Sequence, residues 1–227
     1  MKIDFVKANT KRYLDLAEEI YMEAFPAVER KPFSMLVDAQ TKGNVEILMI
    51  RHRREGERPE GRGCREAKEE PEASGAHKDG EVLDRTTRKD VLGQALVAQD
   101  KESVLGEIIL ARYADVVLLD YFAVAAAFRG HGIGAQALGE LQKRCRGERL
   151  VLEIESTKVD ADNLGQRCSR KAFYERCGMR TLDYSVMVMG VEMEVLTFGC
   201  EVGFGEYHAV YEGVFGAQVG ERIWLAG

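Results

Sequence analysis

The stretch from Val116 to Leu141, VVLLDYFAVAAAFRGHGIGAQALGEL, constrains the fold more than any other part of the chain. Val116 to Val124 is almost wholly apolar, as expected of a central strand covered on both faces. Ile133, Ala137, Leu138, Leu141 and Cys145 then share one face of a helix that should end near Gly147. Between strand and helix stand Gly130, Gly132 and Gly134, with Arg129 in front of them. Arg149 to Glu155, RLVLEIE, reads as the next strand, so strand, loop, helix and strand make a parallel crossover, which is right-handed in nearly all known cases.

The surrounding pattern is mixed. Apolar residues at helical spacing predict an amphipathic helix over Lys11 to Phe25, stopped by Pro26, and a second from Pro32 to near Gly43, followed by a short strand from Val45 to Ile50. DVLGQALVAQD and VLGEIILARYA are expected to form antiparallel strands joined around Asp100 to Ser103. RKAFYERCGM should be helical with Gly178 at its end, and YSVMVMG with VEMEVLTF should form a hairpin near Gly190. Tyr207, Val210, Tyr211, Val214 and Phe215 mark a last helix, and RIWL an edge strand. The class is therefore mixed α/β, read as one domain over residues 1–227 with a C-terminal hairpin and helix extension at about 184–227.

Composition matters most after Ile50. Between Arg51 and Asp90, 22 of 40 residues are charged, none is aromatic, and only Val82 and Leu83 are large aliphatics. Such a segment cannot bury enough apolar surface to offset the entropy of ordering it, and a solvated insertion at about 51–90 is expected. A formal net charge of -6 argues against non-specific attraction to nucleic acid or an anionic membrane. Five cysteines without a CxxC pair suggest neither a disulfide framework nor a zinc cluster, and no metal site is expected. With no basic, apolar leader in MKIDFVKANT and no apolar run of about 18 residues, the expectation is a soluble cytoplasmic protein.

The glycine turn suits an anion. A helix N-terminus offers about half a unit of positive charge and four unpaired N–H groups, and glycines remove the side chains that would hold phosphates away. Arg129 adds a fixed cation. Gly132, Gly134 and Ala137 also satisfy G-x-G-x-x-A, the dinucleotide pattern, with Glu153 and Glu155 as ribose ligands. Against that reading, Ala125 to Phe128 separate the strand from the first glycine.

Arg129, Gly132 and Gly134 as R-x-x-G-x-G, joined to Phe173, Tyr174 and Gly178 in FYERCGM, resemble the GNAT family, the GCN5-related N-acetyltransferases. The specific resemblance spans Val116 to Met179. It implies a mostly antiparallel central sheet flanked by helices, with a splayed central strand pair, and acetyl coenzyme A as co-substrate. It implies that Arg129, Gly130, His131, Gly132, Ile133, Gly134 and Ala135 cradle the pyrophosphate through the main chain, and that Phe122, Ala123 and Val124 pair with the pantetheine arm. One departure is Arg167, which stands where many members carry the asparagine that contacts pantetheine. Arg167, Arg170 and Lys171 could meet the phosphates or form a solvated helix face.

Acetyl transfer to an amine needs a base for the amine, a donor to the carbonyl oxygen and a proton for the thiolate. Tyr174 is the candidate acid, since a phenol of pKa about 10 is protonated at neutral pH. Glu153 and Glu155, two apart on a strand, point to one side and are candidate bases, although solvent-facing alternation predicts the same pattern. Asp120, a carboxylate in an apolar strand, is either paired or functional. Glu29 and Arg30 flank the acceptor side. The acceptor is a small-molecule or peptide amine, with a homodimer left open; the alternative is a non-catalytic acyl-CoA-binding module.

Overall fold

A computed structural model describes residues 2–53, 65–66 and 104–227. Its strands are β1 (Ile3–Lys7), β2 (Val45–His52), β3 (Arg65–Glu66), β4 (Val104–Tyr113), β5 (Val116–Val124), β6 (Arg149–Glu155), β7 (Arg180–Val188), β8 (Val191–Thr197) and β9 (Ile223–Leu225). They form a sheet in the order β3-β1-β2-β4-β5-β6-β8-β7-β9. Only β1 with β3 and β5 with β6 run parallel; the other neighbours are antiparallel. This is the mixed α/β class that the pattern predicted, with the mostly antiparallel sheet that the resemblance implied.

The helices are α1 (Lys11–Ala24), α2 (Phe33–Thr41), α3 (Ile133–Arg144), α4 (Leu164–Arg176), α5 (Phe204–Phe215) and the short α6 (Ala217–Gly220). Thr10 caps α1 by accepting from the Tyr13 N–H, and Phe25, extended ahead of Pro26, ends it. Alternation along the strands, shifted once at Asp120 on β5, sorts side chains into two cores. Ile47, Met49, Leu118 and Val151 pack under α1, α2 and α5, while Leu48, Ile50, Leu119 and Leu152 pack under α3 and α4. Among the described residues, no helix is long and apolar enough to cross a membrane.

Several sequence expectations change in detail. Strand β1 was not anticipated: IDFVK is short and interrupted by charge, and its pairing with β2 carries that strand on to His52, into the segment read as an insertion. Arg65–Glu66, from the same charged stretch, form β3 beside β1, so at these two ends the expected insertion joins the sheet; its residues 54–64 and 67–90, and the DVLGQALVAQD segment, lie outside the described residues. Both edges of β4 are taken, by β2 and by β5. The hairpin at Gly190 turns through Met189 (φ 51°) and Gly190 (φ 90°), the pair of positive angles that a tight two-residue connection needs. Residues 184–227 are integrated into the sheet and its covering helices, with β8 inserted between β6 and β7.

Candidate active site

The site begins with a fork. Strands β5 and β6 pair only from Val116 with Arg149 to Leu119 with Leu152. Beyond that rung β5 stays with β4 as far as Val124, and β6 stays with β8 as far as Glu155. The cause lies at Asp120, where the β4 register steps from Tyr121 opposite Ile109 to Leu119 opposite Leu110 and leaves one residue over. A bulge of this kind bends its strand and ends pairing on one side. Gly106 lets β4 follow the bent end closely: a Cβ there would lie 2.1 Å from the Ala123 carbonyl oxygen. The result is a cleft of about 670 Å³, entered between Asp120–Val124 on one strand and Glu153–Glu155 on the other.

At one flank of the fork lies the glycine turn. Gly130 (φ 80°) and Gly132 (φ 76°) are left-handed, which any side chain would make strained. Gly132 is the N-cap of α3 and provides no side-chain cap; the first bond into the helix runs from the Gln136 N–H to its carbonyl at 3.1 Å. Among the described residues, no protein acceptor takes the N–H groups of His131, Gly132, Ile133, Gly134 or Ala135. The His131 ring folds back, its Nδ1 donating to the Arg129 carbonyl at 2.8 Å, so the loop offers main chain rather than imidazole. Arg129 donates through Nε to the Val124 carbonyl (3.0 Å), which ties the turn to the end of the bent strand. Gly134 packs against α4: a Cβ there would lie 3.1 Å from the Phe173 ring. The two motif halves therefore meet physically.

Phe122, Ala123 and Val124 line the cleft, on a stretch of β5 that, among the described residues, has no strand beside it on the β6 side. Tyr174 also lines it, stacked edge-on against Phe173 at 5.1 Å. Burial pushes its phenol up to about 12, slightly eased by Arg170, so it is protonated at neutral pH. The Cys177 thiol is raised by burial as well, the opposite of what an acyl-cysteine nucleophile needs.

The candidate bases are separated by their partners. Glu155 is buried and engaged by Arg167 Nη2 at 2.7 Å and Arg170 at 3.3 Å, with Asn163 Nδ2 also donating to it. Arg167 further donates to the Ser156 carbonyl, and Lys171 pairs with the fully buried Glu194. The basic face of α4 is thus engaged with protein carboxylates, through Arg167 and Lys171 in partly buried positions and through Arg170 while it stays exposed on the helix face. Glu153 instead faces the other flank. It accepts hydrogen bonds from the hydroxyls of Tyr207 and Tyr211 on α5. Desolvation raises its pKa, against the pull of nearby Lys31 and both hydroxyls, with Asp120 adding to the rise.

Asp120 answers its own question in part. Lys31, from the α1–α2 connection, donates from Nζ to Oδ1 at 2.7 Å, both side chains being nearly buried. The Lys31 ammonium is also held over the rings of Tyr121, Tyr211 and Phe215 at 4.9 to 5.1 Å. Glu29 and Arg30 line the same mouth.

Residues 61–179, more than half of the chain, match the model of the acetyltransferase (GNAT) family. The chain belongs to the GNAT family. No curated protein sequence matches it. Among solved structures, a GNAT-family protein from Bacteroides thetaiotaomicron superposes with TM-score 0.59 at 16% identity, over 96% of this chain and 99% of that one. Arabidopsis thaliana NAA60, solved in complex with acetyl-CoA, gives TM-score 0.51 at 13% identity over 86% and 97%. An aminoglycoside 6'-N-acetyltransferase complexed with coenzyme A gives TM-score 0.51 at 12% identity over 89% and 100%. At such identities these likenesses speak for the GNAT fold, and the dinucleotide pattern around Gly132 gives way to it.

Sequence reasoning missed Lys31, Tyr207 and Tyr211. The two tyrosines looked like a core stripe, and they are fully buried; what the stripe could not reveal is that their hydroxyls end on Glu153. Four residues apart on α5, they were the available signal, because a buried tyrosine hydroxyl demands a partner.

Proposed function

We propose that this GNAT chain is an N-acetyltransferase that passes an acetyl group from acetyl coenzyme A to a primary amine by direct attack, without an acyl-enzyme. The observation that carries the reading is the row of bare N–H groups from His131 to Ala135 at the N-terminus of α3, placed beside the open end of β5. Such a row needs an anion, and the diphosphate of the co-substrate supplies one. Arg129 adds charge to the cradle. The unpaired edge of β5 around Phe122 and Ala123, ending where Arg129 takes the Val124 carbonyl, suits the amides of an extended pantetheine arm, as an added strand would.

Acetyl coenzyme A contributes the activated thioester. Glu153 takes the proton of the attacking amine as the new C–N bond forms; a carboxyl raised toward the working pH does this better than an ordinary one. An N–H of Phe122, Ala123 or Val124 donates to the carbonyl oxygen as it gains charge. Tyr174 gives its proton to the sulfur when the C–S bond breaks, and recovers it from solvent. Glu155, paired with two arginines, is given a holding role between β6 and α4.

Thermal unfolding with acetyl coenzyme A, run beside NAD, tests the cradle: ligand at 100 times its dissociation constant should add about 2.7 kcal/mol. A shift with NAD alone would overturn it. Thiol release with a panel of primary amines tests the chemistry, and loss of that release in Tyr174→Phe tests the acid. Stabilisation without thiol release for any amine would leave an acyl-CoA-binding module in place of an enzyme.

A further inference from the structure

Lys31 is held more firmly than a surface lysine needs to be. Its N–H donates to the Tyr121 hydroxyl at 3.1 Å, its carbonyl accepts from the Tyr21 hydroxyl at 3.0 Å, and the Tyr121 hydroxyl donates onward to the Glu29 carbonyl at 3.0 Å. At the far end, Nζ meets Asp120 Oδ1 at 2.7 Å and lies 4.9 to 5.1 Å from the ring centroids of Tyr121, Tyr211 and Phe215, with the side chain 10% exposed. Ring faces and a carboxylate together hold the ammonium in one place. Lys31, Tyr211 and Phe215 all lie outside residues 61–179, the segment that matches the family model, so the clamp is built largely from parts of the chain that flank that segment.

Its place is the base of the fork. Asp120 and Glu153 are the first residues past the last rung, one on each strand. Around Glu153, β5 presents Asp120 and Tyr121, α5 presents Tyr207 and Tyr211, β8 presents the uncharged Val195, and the α1–α2 connection presents Lys31. Lys31 is the cation of that set, bonded to one carboxylate and acting on the other through space. Burial raises the Glu153 pKa, and Lys31 is the largest pull against it. A buried ion pair is a weak means of stabilising a fold, because desolvation offsets the attraction and apolar residues would serve as well. A cation shared by two carboxylates at the cleft points to chemistry instead.

We infer that Lys31 is a positioning residue for acetyl transfer, an internal counter-ion that the rings of β5 and α5 fix at the base of the fork so that Glu153 is available to take a proton. The inference rests on the acetyl-transfer reading of the cleft and adds a residue to it. Lys31 acts through the two carboxylates and not on the reacting atoms. With the ammonium in place, the charged forms of both are favoured; without it, burial and their mutual repulsion favour protonation, and the base leaves its working form.

The test reads Glu153 directly. In the intact chain, isotope-labelled at the glutamate side-chain carboxyl, the resonance that is absent from Glu153→Gln is titrated by NMR. Lys31→Met, which keeps the length and removes the charge, should move that midpoint up by about one pH unit or more, the effect of losing an opposite charge nearby. Lys31→Arg keeps the charge and should recover most of the shift. Thiol release from acetyl coenzyme A is followed beside it, with benzylamine, putrescine and alaninamide as probes and the fastest of the three as acceptor. In Lys31→Met the acid limb of kcat/KM should move up with the NMR midpoint, so that the rate falls about tenfold at pH 7 for one unit and recovers in alkaline buffer. An unmoved Glu153 midpoint, an unmoved acid limb, or an equal fall at every pH would each overturn the inference. Should Lys31→Met fail to fold, Phe215→Leu removes one ring and leaves the lysine; it should give a smaller shift of the same sign, and no shift there would overturn the inference as well. No thiol release from the wild type with any of the three amines would remove the acetyl-transfer reading, and the inference with it, whatever the titration shows; an unmoved midpoint in an active enzyme removes the inference alone.

Discussion

The two flanks of the fork are made in opposite ways. On the cofactor flank, Arg129 to Ala135 are consecutive, and the groups on offer are main-chain N–H. On the acceptor flank, Lys31, Asp120, Glu153, Tyr207 and Tyr211 come from four separate segments, and the groups that matter are side chains. The first arrangement needs only local geometry: glycines that accept positive φ and a helix that starts behind them. The second needs burial, because carboxylates acquire raised pKa values and specific partners only when several elements close over them. The comparison teaches that binding of the acetyl donor and handling of the amine should fail independently.

Glu153→Gln should give the largest separation. With its base removed, kcat is expected to fall roughly 10²–10⁴-fold, while acetyl coenzyme A still raises the unfolding midpoint; turnover at the wild-type rate would break the assignment of Glu153. Gly132→Val is the converse. A β-branched side chain at φ 76° is strained and stands where the anion must approach. Most of the about 2.7 kcal/mol of ligand stabilisation should vanish in a thermal titration.

A control lies outside the fork. Glu107 on β4 is fully buried, both carboxylate oxygens are without a hydrogen-bond partner among the described residues, and desolvation holds its pKa well above the usual carboxylate range. It contrasts with Glu153, which has two hydroxyls and a nearby lysine. A raised folded pKa means that the folded state binds the proton more tightly, so stability is lost as pH climbs above the unfolded value of about 4.3. Glu107→Met should therefore stabilise the chain by roughly 1–3 kcal/mol near neutrality and by little at pH 4, read from urea midpoints at both pH values. Equal gain at both would show that Glu107 does not titrate this way.

The smallest effect is expected from Tyr211→Phe. Losing one donor to Glu153 favours its protonated form, so the acid limb of kcat/KM should move to higher pH. The rate at pH 7 should drop by less than about tenfold, a loss that one pKa unit would cause, and recover in more alkaline buffer. A uniform drop at every pH would mean that the hydroxyl only supports packing.

Much of the fold was legible because its signals are local. The helix over Lys11–Ala24 shows in apolar spacing before Pro26, the strand over Val116–Val124 in an unbroken apolar run, and the hairpin turn in Gly190. The short β1 was not legible, since five residues with two charges become a strand only against β2. Asp120 could be marked as odd in an apolar strand, but nothing in the run said that it is a bulge, or that the bulge opens the fork.

By itself the sequence determined where the main chain would be bare: glycine spacing and a following helix dictate free N–H groups at Gly132 whatever surrounds them. Only the tertiary structure decided which of two equivalent glutamates is paired with arginines and which is met by tyrosine hydroxyls. Glu153 and Glu155 share a strand and a face, yet Arg167 and Arg170 close over one while Tyr207, Tyr211 and Lys31 gather at the other. A carboxylate's character is set by what desolvates and partners it, and those groups arrive from positions far away along the chain.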